Sequence, residues 1–288
     1  GTVGQDYAEA NANITFTEDD FSENGSFYNG GSKWLPIGSY EASFTGVFDG
    51  NGHTIANFYQ NTWEIKGDYD ANYYKDAMGL FGYVYNGTVK NLTLRKVSYA
   101  AEGKYGYLGG IAGGSQYGEL KNSMSLAKII PGEEGYDRGG LVGYNYMRIS
   151  NCYTTDSVIV GGNNASYGGE FSNTFFLADA DDELEGTTPM TMEQLLSGRI
   201  AYLLQAGVKG EEIYDEATDS YIPLPPKQIW GQTVGEGLPV LGGEKVYEVV
   251  NCKGEAAYSN TDAPLDHNFE NGSCTVCGVA DPAMQEAH

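Results

Sequence analysis

The 288-residue sequence predicts an all-β chain: a parallel β-helix, or solenoid, with one capping α-helix and a small C-terminal Cys/His module. Three observations predict it. The tetrapeptides Gly79-Leu80-Phe81-Gly82, Gly110-Ile111-Ala112-Gly113 and Gly140-Leu141-Val142-Gly143 begin 31 and 30 residues apart, and a fixed period of that size marks a repeat architecture. Each is followed 12, 12 and 11 residues after its first glycine by an asparagine, at Asn91, Asn122 and Asn151. The segments that hold these asparagines, Val89 to Leu94, Leu120 to Ser125 and Ile149 to Thr154, alternate like short strands.

A unit of two or three short strands joined by glycine-rich turns cannot bury its apolar side alone, so it must stack on its neighbours. In such a stack the apolar residues between the two glycines point into the core. The glycines then allow either positive φ or close approach of backbones, and the recurring asparagine is a turn residue whose side chain bonds backbone or the next asparagine in a ladder.

Taken in order, residues 1–44 form an N-terminal cap strand, over Asn13 to Thr17, and a lead-in; residues 45–187 hold the repeats. An early degenerate copy runs from Gly46 to Phe58, with Asn57 again 11 residues past its first glycine, and a shortened late copy ends at Phe171 to Phe176. Gln60 to Asp76 is an insertion rich in Tyr and Asp, where a ligand would first be sought, because insertions in repeats fall in loops on one face. Residues 188–250 hold a single amphipathic helix over Thr191 to Ala206, apolar at Met192, Leu195, Leu196, Ile200, Leu203 and Leu204, and a closing segment. Thr191 and Gln194 read as its capping box and Gly207 as its stop. Residues 251–288 are the Cys/His tail.

The Gly-Leu-Phe-Gly and Gly-Leu-Val-Gly units resemble the GLUG-motif proteins of bacterial cell surfaces, as do the Phe48-Asp49-Gly50-Asn51-Gly52-His53-Thr54-Ile55 entry and the Gly-x-Val-x-Asn strand. The likeness extends to the lead-in Trp34-Leu35-Pro36-Ile37-Gly38 and the closing Trp230-Gly231-Gln232-Thr233-Val234-Gly235 with Pro239-Val240-Leu241, and covers roughly residues 30 to 245. It implies a right-handed β-helix on an adhesin-like extracellular protein, secreted or cell-wall attached, with its signal and anchor outside these residues. It carries over no catalytic residues. Ala112 departs from the pattern, standing where the other copies have a bulky side chain.

Composition narrows the partners. With 39 Asp+Glu against 16 Lys+Arg the net charge is -23, which repels a polyphosphate backbone, so nucleic acid is not an expected partner. No apolar run approaches the roughly 18 residues that span a bilayer. The acidic run Asp179 to Glu185 lacks the glycine and fixed spacing of a calcium loop, so calcium is not expected. Among three histidines, His53 lies in a turn, His267 belongs to the tail and His288 is terminal; no hydrolase, metalloprotease or kinase motif occurs. Together with these exclusions, the resemblance implies a non-catalytic, monomeric surface module that binds a glycan or a protein of a host or neighbouring cell, a solenoid offering long faces on which Tyr makes contacts. The alternatives are a polysaccharide-acting β-helix enzyme, whose paired carboxylates would converge in one cleft, and a structural spacer.

The tail reads Cys252-x14-His267-x6-Cys274-x2-Cys277. Three thiolates and an imidazole are a ligand set that zinc prefers, and a segment of this size with little apolar content needs a metal or a disulfide to fold. Two readings stand together: a Cys3His structural zinc site of Cys252, His267, Cys274 and Cys277, or a disulfide from Cys252 to either knuckle cysteine or free thiols. His267 to Gly278 also resembles small Cys/His segments of Gram-positive surface proteins. Cys152 reads as a small buried residue of a repeat.

Overall fold

The computed structural model describes residues 7–31, 33–61, 77–100, 106–130, 136–177 and 184–285. The Gln60 to Asp76 insertion beyond Asn61 and the acidic run up to residue 183 lie outside them. The chain forms two compact units, Gly1–Thr191 and Met192–His288.

The first unit is built from parallel sheets, and successive repeats place equivalent strands side by side. One sheet orders Tyr7–Glu9, Val47–Asp49, Thr88–Lys90, Glu119–Lys121, Arg148–Ser150 and Phe171–Ser172. A second orders Ile14–Thr15, Thr54–Ala56, Thr93–Ala100, Met124–Ile130, Tyr153–Thr154, Thr174–Leu177 and Thr187–Met190, with Tyr59–Asn61 also pairing Thr93–Ala100. A third holds Ala77–Met78, Gly106–Gly109 and Tyr136–Gly139; a fourth holds Phe81–Tyr85, Ala112–Gln116, Val142–Asn145 and Val160–Asn163. Each full repeat visits the third, fourth, first and second sheets in that order.

Register sets the core. Phe48, Val89, Leu120, Ile149 and Phe171 line up across one sheet, and Phe81, Ala112, Val142 and Val160 across another. Leu80, Phe81, Ile111, Ala112, Leu141 and Val142 are all buried in one apolar cluster. The glycines around them serve close approach. None of Gly79, Gly82, Gly110, Gly113, Gly140 and Gly143 has a positive φ. A Cβ on Gly143 would lie 2.5 Å from both the Gly113 carbonyl oxygen and the Leu108 nitrogen, and one on Gly113 would lie 2.6 Å from the Ala77 carbonyl carbon.

The asparagines turn the corner between the first and second sheets. Asn91, Asn122, Asn151 and Asn173 have φ of 55°, 48°, 50° and 46°, the left-handed region that Asn tolerates better than most residues. Their amides form a ladder. Asn122 Nδ2 donates to Asn91 Oδ1 at 3.3 Å, Asn151 to Asn122 at 3.3 Å, and Asn173 to Asn151 at 2.9 Å. Asn91 Nδ2 in turn donates to Asp49 Oδ1 at 2.9 Å, and Lys90 Nζ lies 3.0 Å from Asp49 Oδ2.

Two expectations are corrected. The early copy is out of phase: Val47 pairs with Thr88 and Ile55 with Leu94, so Gly46 matches Gly87, and Asn57 lies at the corner of Lys96. Its equivalent of the tetrapeptide is the lead-in, since Ile37 bridges to Phe81 and Phe44 to Val84. The spacing misleads because Asn51-Gly52, with φ of 49° and 79°, is inserted between Asp49 and Thr54, which pair with Lys90 and Thr93.

The single helix is also two: α1 at Met192–Leu196 and α2 at Arg199–Ala206, broken at Gly198 with φ 91°. A Cβ there would lie 2.9 Å from Val234 and 3.0 Å from Tyr258, so both the positive φ and the packing within the second unit call for glycine at the break. Leu195, Ile200, Ala201 and Leu204 are buried. Gln205 Oε1 accepts from the backbone of Ile229 and Trp230, and Gln232 Nε2 donates to the Leu195 and Leu196 carbonyls, tying the helices to the closing segment. A third short helix, α3, spans Pro282–Gln285.

Candidate metal centre

Cys252 sits on the tip between the antiparallel strands Tyr247–Val250 and Ala256–Ser259. Asn251 builds the tip: its Oδ1 accepts from the nitrogens of Lys253 and Glu255, and Gly254 follows with φ 79°. Cys274 ends a second hairpin, Phe269–Glu270 with Ser273–Cys274. Its two-residue turn is Asn271-Gly272, with φ of 51° and 80°, the mirror-image turn that Asn-Gly favours. The chain then folds back, the Gly278 nitrogen donating to the Cys274 carbonyl at 2.9 Å, which turns Cys277 toward Cys274. His267 stands just before this hairpin and stacks on Phe269, ring centroids 5.5 Å apart.

All four sequence-identified side chains come together. One ligand atom from each of Cys252, His267, Cys274 and Cys277 lies within 4.8 Å of the others. Cys252 Sγ and Cys274 Sγ are 3.6 Å apart, and Cys277 Sγ is 3.2 Å from His267 Nδ1. A sulfur pair bound tetrahedrally at about 2.3 Å from zinc would be separated by about 3.8 Å, and a sulfur–nitrogen pair by slightly less. A disulfide needs about 2.05 Å between sulfurs, and all four cysteines are free.

The electrostatics favour a thiolate at Cys274. The Cys274 thiol is drawn down to about 5, first by the backbone N–H of Cys277 and further by His267 and the Val276 N–H. Cys252 is pushed up to about 11 by burial and by the neighbouring Cys277 and Cys274 sulfurs. Three crowded sulfurs cannot all ionise without a cation between them. Cys152 stands apart in the first unit, fully buried, its thiol donating to the Ser150 carbonyl.

The acidic run is represented only by Leu184 and Glu185, Leu184 packing on the first unit's core. Sequence reading missed two features of polar chemistry. Asp49 ends the asparagine ladder, which only strand register reveals. Tyr107, Asp137 and Tyr144 converge at one corner of the third and fourth sheets, with Tyr107 stacked on Tyr144 at 4.8 Å between centroids.

No family model matches the chain, and no solved structure matches it. Over 94 residues it is 36% identical to a protein of Evansella cellulosilytica named a Gly-rich membrane protein; the match covers 32% of this chain and 10% of that protein. The chain thus spans about a tenth of that relative's length. Among the described residues, no helix is long and apolar enough to cross a membrane.

Proposed function

We propose that this chain is a non-catalytic, monomeric surface module of a GLUG-type bacterial protein, extracellular and secreted or wall-attached, which binds a glycan or a protein of a host or neighbouring cell. Its first unit is a closed right-handed β-helix. In support, each full repeat visits four parallel sheets in one order, and equivalent strands of successive repeats pair with each other.

The observation that carries the binding function is a set of tyrosines held outward on consecutive repeats. Tyr85 and Tyr117 are 43% and 42% exposed with ring centroids 5.9 Å apart, and Tyr40 is 44% exposed with its edge against Tyr83. Tyrosine brings large amphipathic contact area at low entropic cost, which suits recognition by a rigid scaffold. The relative's description as a membrane protein fits an envelope location. A glycan array and a panel of matrix proteins test this function, with binding that Tyr85→Ala and Tyr117→Ala each weaken as the expected result. Silence on both panels refutes it in favour of a spacer. Release of reducing ends from polysaccharides refutes the non-catalytic assignment.

The tail is a structural zinc module in this proposal. The sulfur and nitrogen separations fit a tetrahedral ion, and a closed four-ligand set leaves no coordination position for substrate. Freshly purified, reduced protein should hold close to one equivalent of zinc, and Cys277→Ser should lose it. Less than about a tenth of an equivalent in the wild type refutes the site, because a structural site stays filled through purification.

A further inference from the structure

The partly buried carboxylates of the first unit are handled in two ways. Asp49 accepts from Asn51 and Asn91 and pairs with Lys90; Glu119 pairs with Lys121 and Arg148. Both carboxyls lie below their ordinary range, despite burial that opposes the charge. Asp137 is different. It is half-buried, burial alone pushes its carboxyl upward, and among the described residues no hydrogen bond or ion pair reaches it.

Two tyrosines lie beside this carboxylate. Tyr107 is its register neighbour on the adjacent strand. Gly162 has no side chain, and over the bare backbone lie both the Tyr144 ring, 2.5 Å from where a Cβ would stand, and Asp137 Oδ2, 3.4 Å from the same point. Tyr144 stacks on Tyr107 and accepts a 2.9 Å hydrogen bond from the Tyr146 hydroxyl, which fixes its orientation. A carboxylate held partly out of water, without a donor among the described residues and beside tyrosines, has the attributes of a receptor for an organic cation: a counter-charge, and π surfaces that attract cations within about 6 Å. The net charge of -23 raises the local concentration of cations and disfavours an anionic ligand.

We propose that Asp137 and Tyr144 form a binding site for the alkylammonium group of a ligand, with Tyr107 and Tyr146 holding the ring in place. This rests on the reading of the chain as a binding module and names the chemistry that one of its sites recognises. The group is carried by a lysine side chain of a partner protein or by a free amino sugar.

The test uses the full chain and n-butylammonium as probe, followed by NMR shifts, with n-pentanol as a neutral analogue. Butylammonium should bind at least about fivefold more tightly than pentanol, the scale expected of a partly desolvated cation–π contact with a counter-charge. Asp137→Asn should erase that preference while leaving the thermal midpoint unchanged or raised, since it removes a half-buried carboxylate that has no partner among the described residues. Equal binding of the two probes, or an Asp137→Asn variant within twofold of wild type for butylammonium, overturns the site. Nα-acetyl-lysine amide and glucosamine as competitors then distinguish the two sources. Positive glycan or matrix panels without ammonium binding sink this inference alone; ammonium binding with silent panels sinks the surface-binding function alone.

Discussion

Replacing Asn122 by Ala and by Gly separates two physical contributions of the asparagine ladder. Asn122 donates to Asn91 Oδ1 and accepts from Asn151 Nδ2, both at 3.3 Å, and holds φ 48°. Its backbone nitrogen donates to the Ser150 carbonyl, and either variant keeps that bond. Each lost side-chain bond contributes about 1 kcal/mol net. Forcing Ala into the left-handed region costs about 1 kcal/mol more, which Gly escapes. Asn122→Ala should therefore destabilise by about 3 kcal/mol and Asn122→Gly by about 2 kcal/mol. The assay is urea denaturation followed by far-UV circular dichroism, with unchanged slopes required for comparison. An Asn122→Gly variant within about 0.5 kcal/mol of wild type would refute a stabilising ladder, because less than the weakest net contribution of one hydrogen bond would be missing. Equal losses for Ala and Gly would refute backbone conformation as a reason for asparagine here.

Gly143→Ala should destabilise by about 3 kcal/mol or prevent folding, because its Cβ would meet backbone at 2.5 Å. Gly237→Ala, whose Cβ would meet only the Thr233 carbonyl oxygen at 3.9 Å, should stay within about 1 kcal/mol of wild type in the same denaturation assay. Burial pushes the Asp49 carboxyl up, yet Asn91, the Asn51 N–H and Lys90 outweigh it and hold the group below its ordinary value. Its stabilisation is present above the unfolded pKa of about 4 and is lost as pH falls through the lower native value. The advantage of wild type over Asp49→Asn, read from urea midpoints, should accordingly be full at pH 6 and shrink toward pH 2.5; an advantage independent of pH would refute the assignment. Burial pushes the Cys152 thiol up to about 12, so with the tail opened by a chelator and the first unit still folded, a thiol reagent at pH 8 should count three reactive cysteines and reach the fourth only in denaturant. Four native thiols would contradict its burial.

Most of the parallel architecture was legible because backbone sterics leave few choices at the positions that repeat. Gly113 and Gly143 are glycine since neighbouring backbone occupies the space of a Cβ, and the corner asparagines are asparagine since their φ is positive. Such positions recur at the period of the fold, so a single sequence displays them. Ala112 looks like a departure, but it lies fully buried in register between Phe81 and Val142. What stayed hidden depends on partners remote in sequence. Two extra residues at Asn51-Gly52 hide the true phase of the first repeat, and nothing local to Gly198 announces that Val234 and Tyr258 will crowd it.

The same distinction explains why the tail's site was readable and the Asp137 corner was not. Cys274 and Cys277 are positioned by a turn and a fold-back within eight residues, so spacing alone carries their geometry. Asp137 is unusual because no hydrogen bond or ion pair reaches it among the described residues, and that is a property of the stack. Stacking in register places like residues beside like residues, as with Lys90 and Lys121, so a charged column is unstable unless a neighbouring column answers it. Asp49 and Glu119 give that answer within the first sheet, where Arg148 pairs with Glu119 in the next repeat. The column Ala77, Tyr107, Asp137 has no lysine or arginine among its three residues. Among the described residues Asp137 is thus a carboxylate that its own column does not answer, unlike Asp49 and Glu119, and it is placed to be answered from outside.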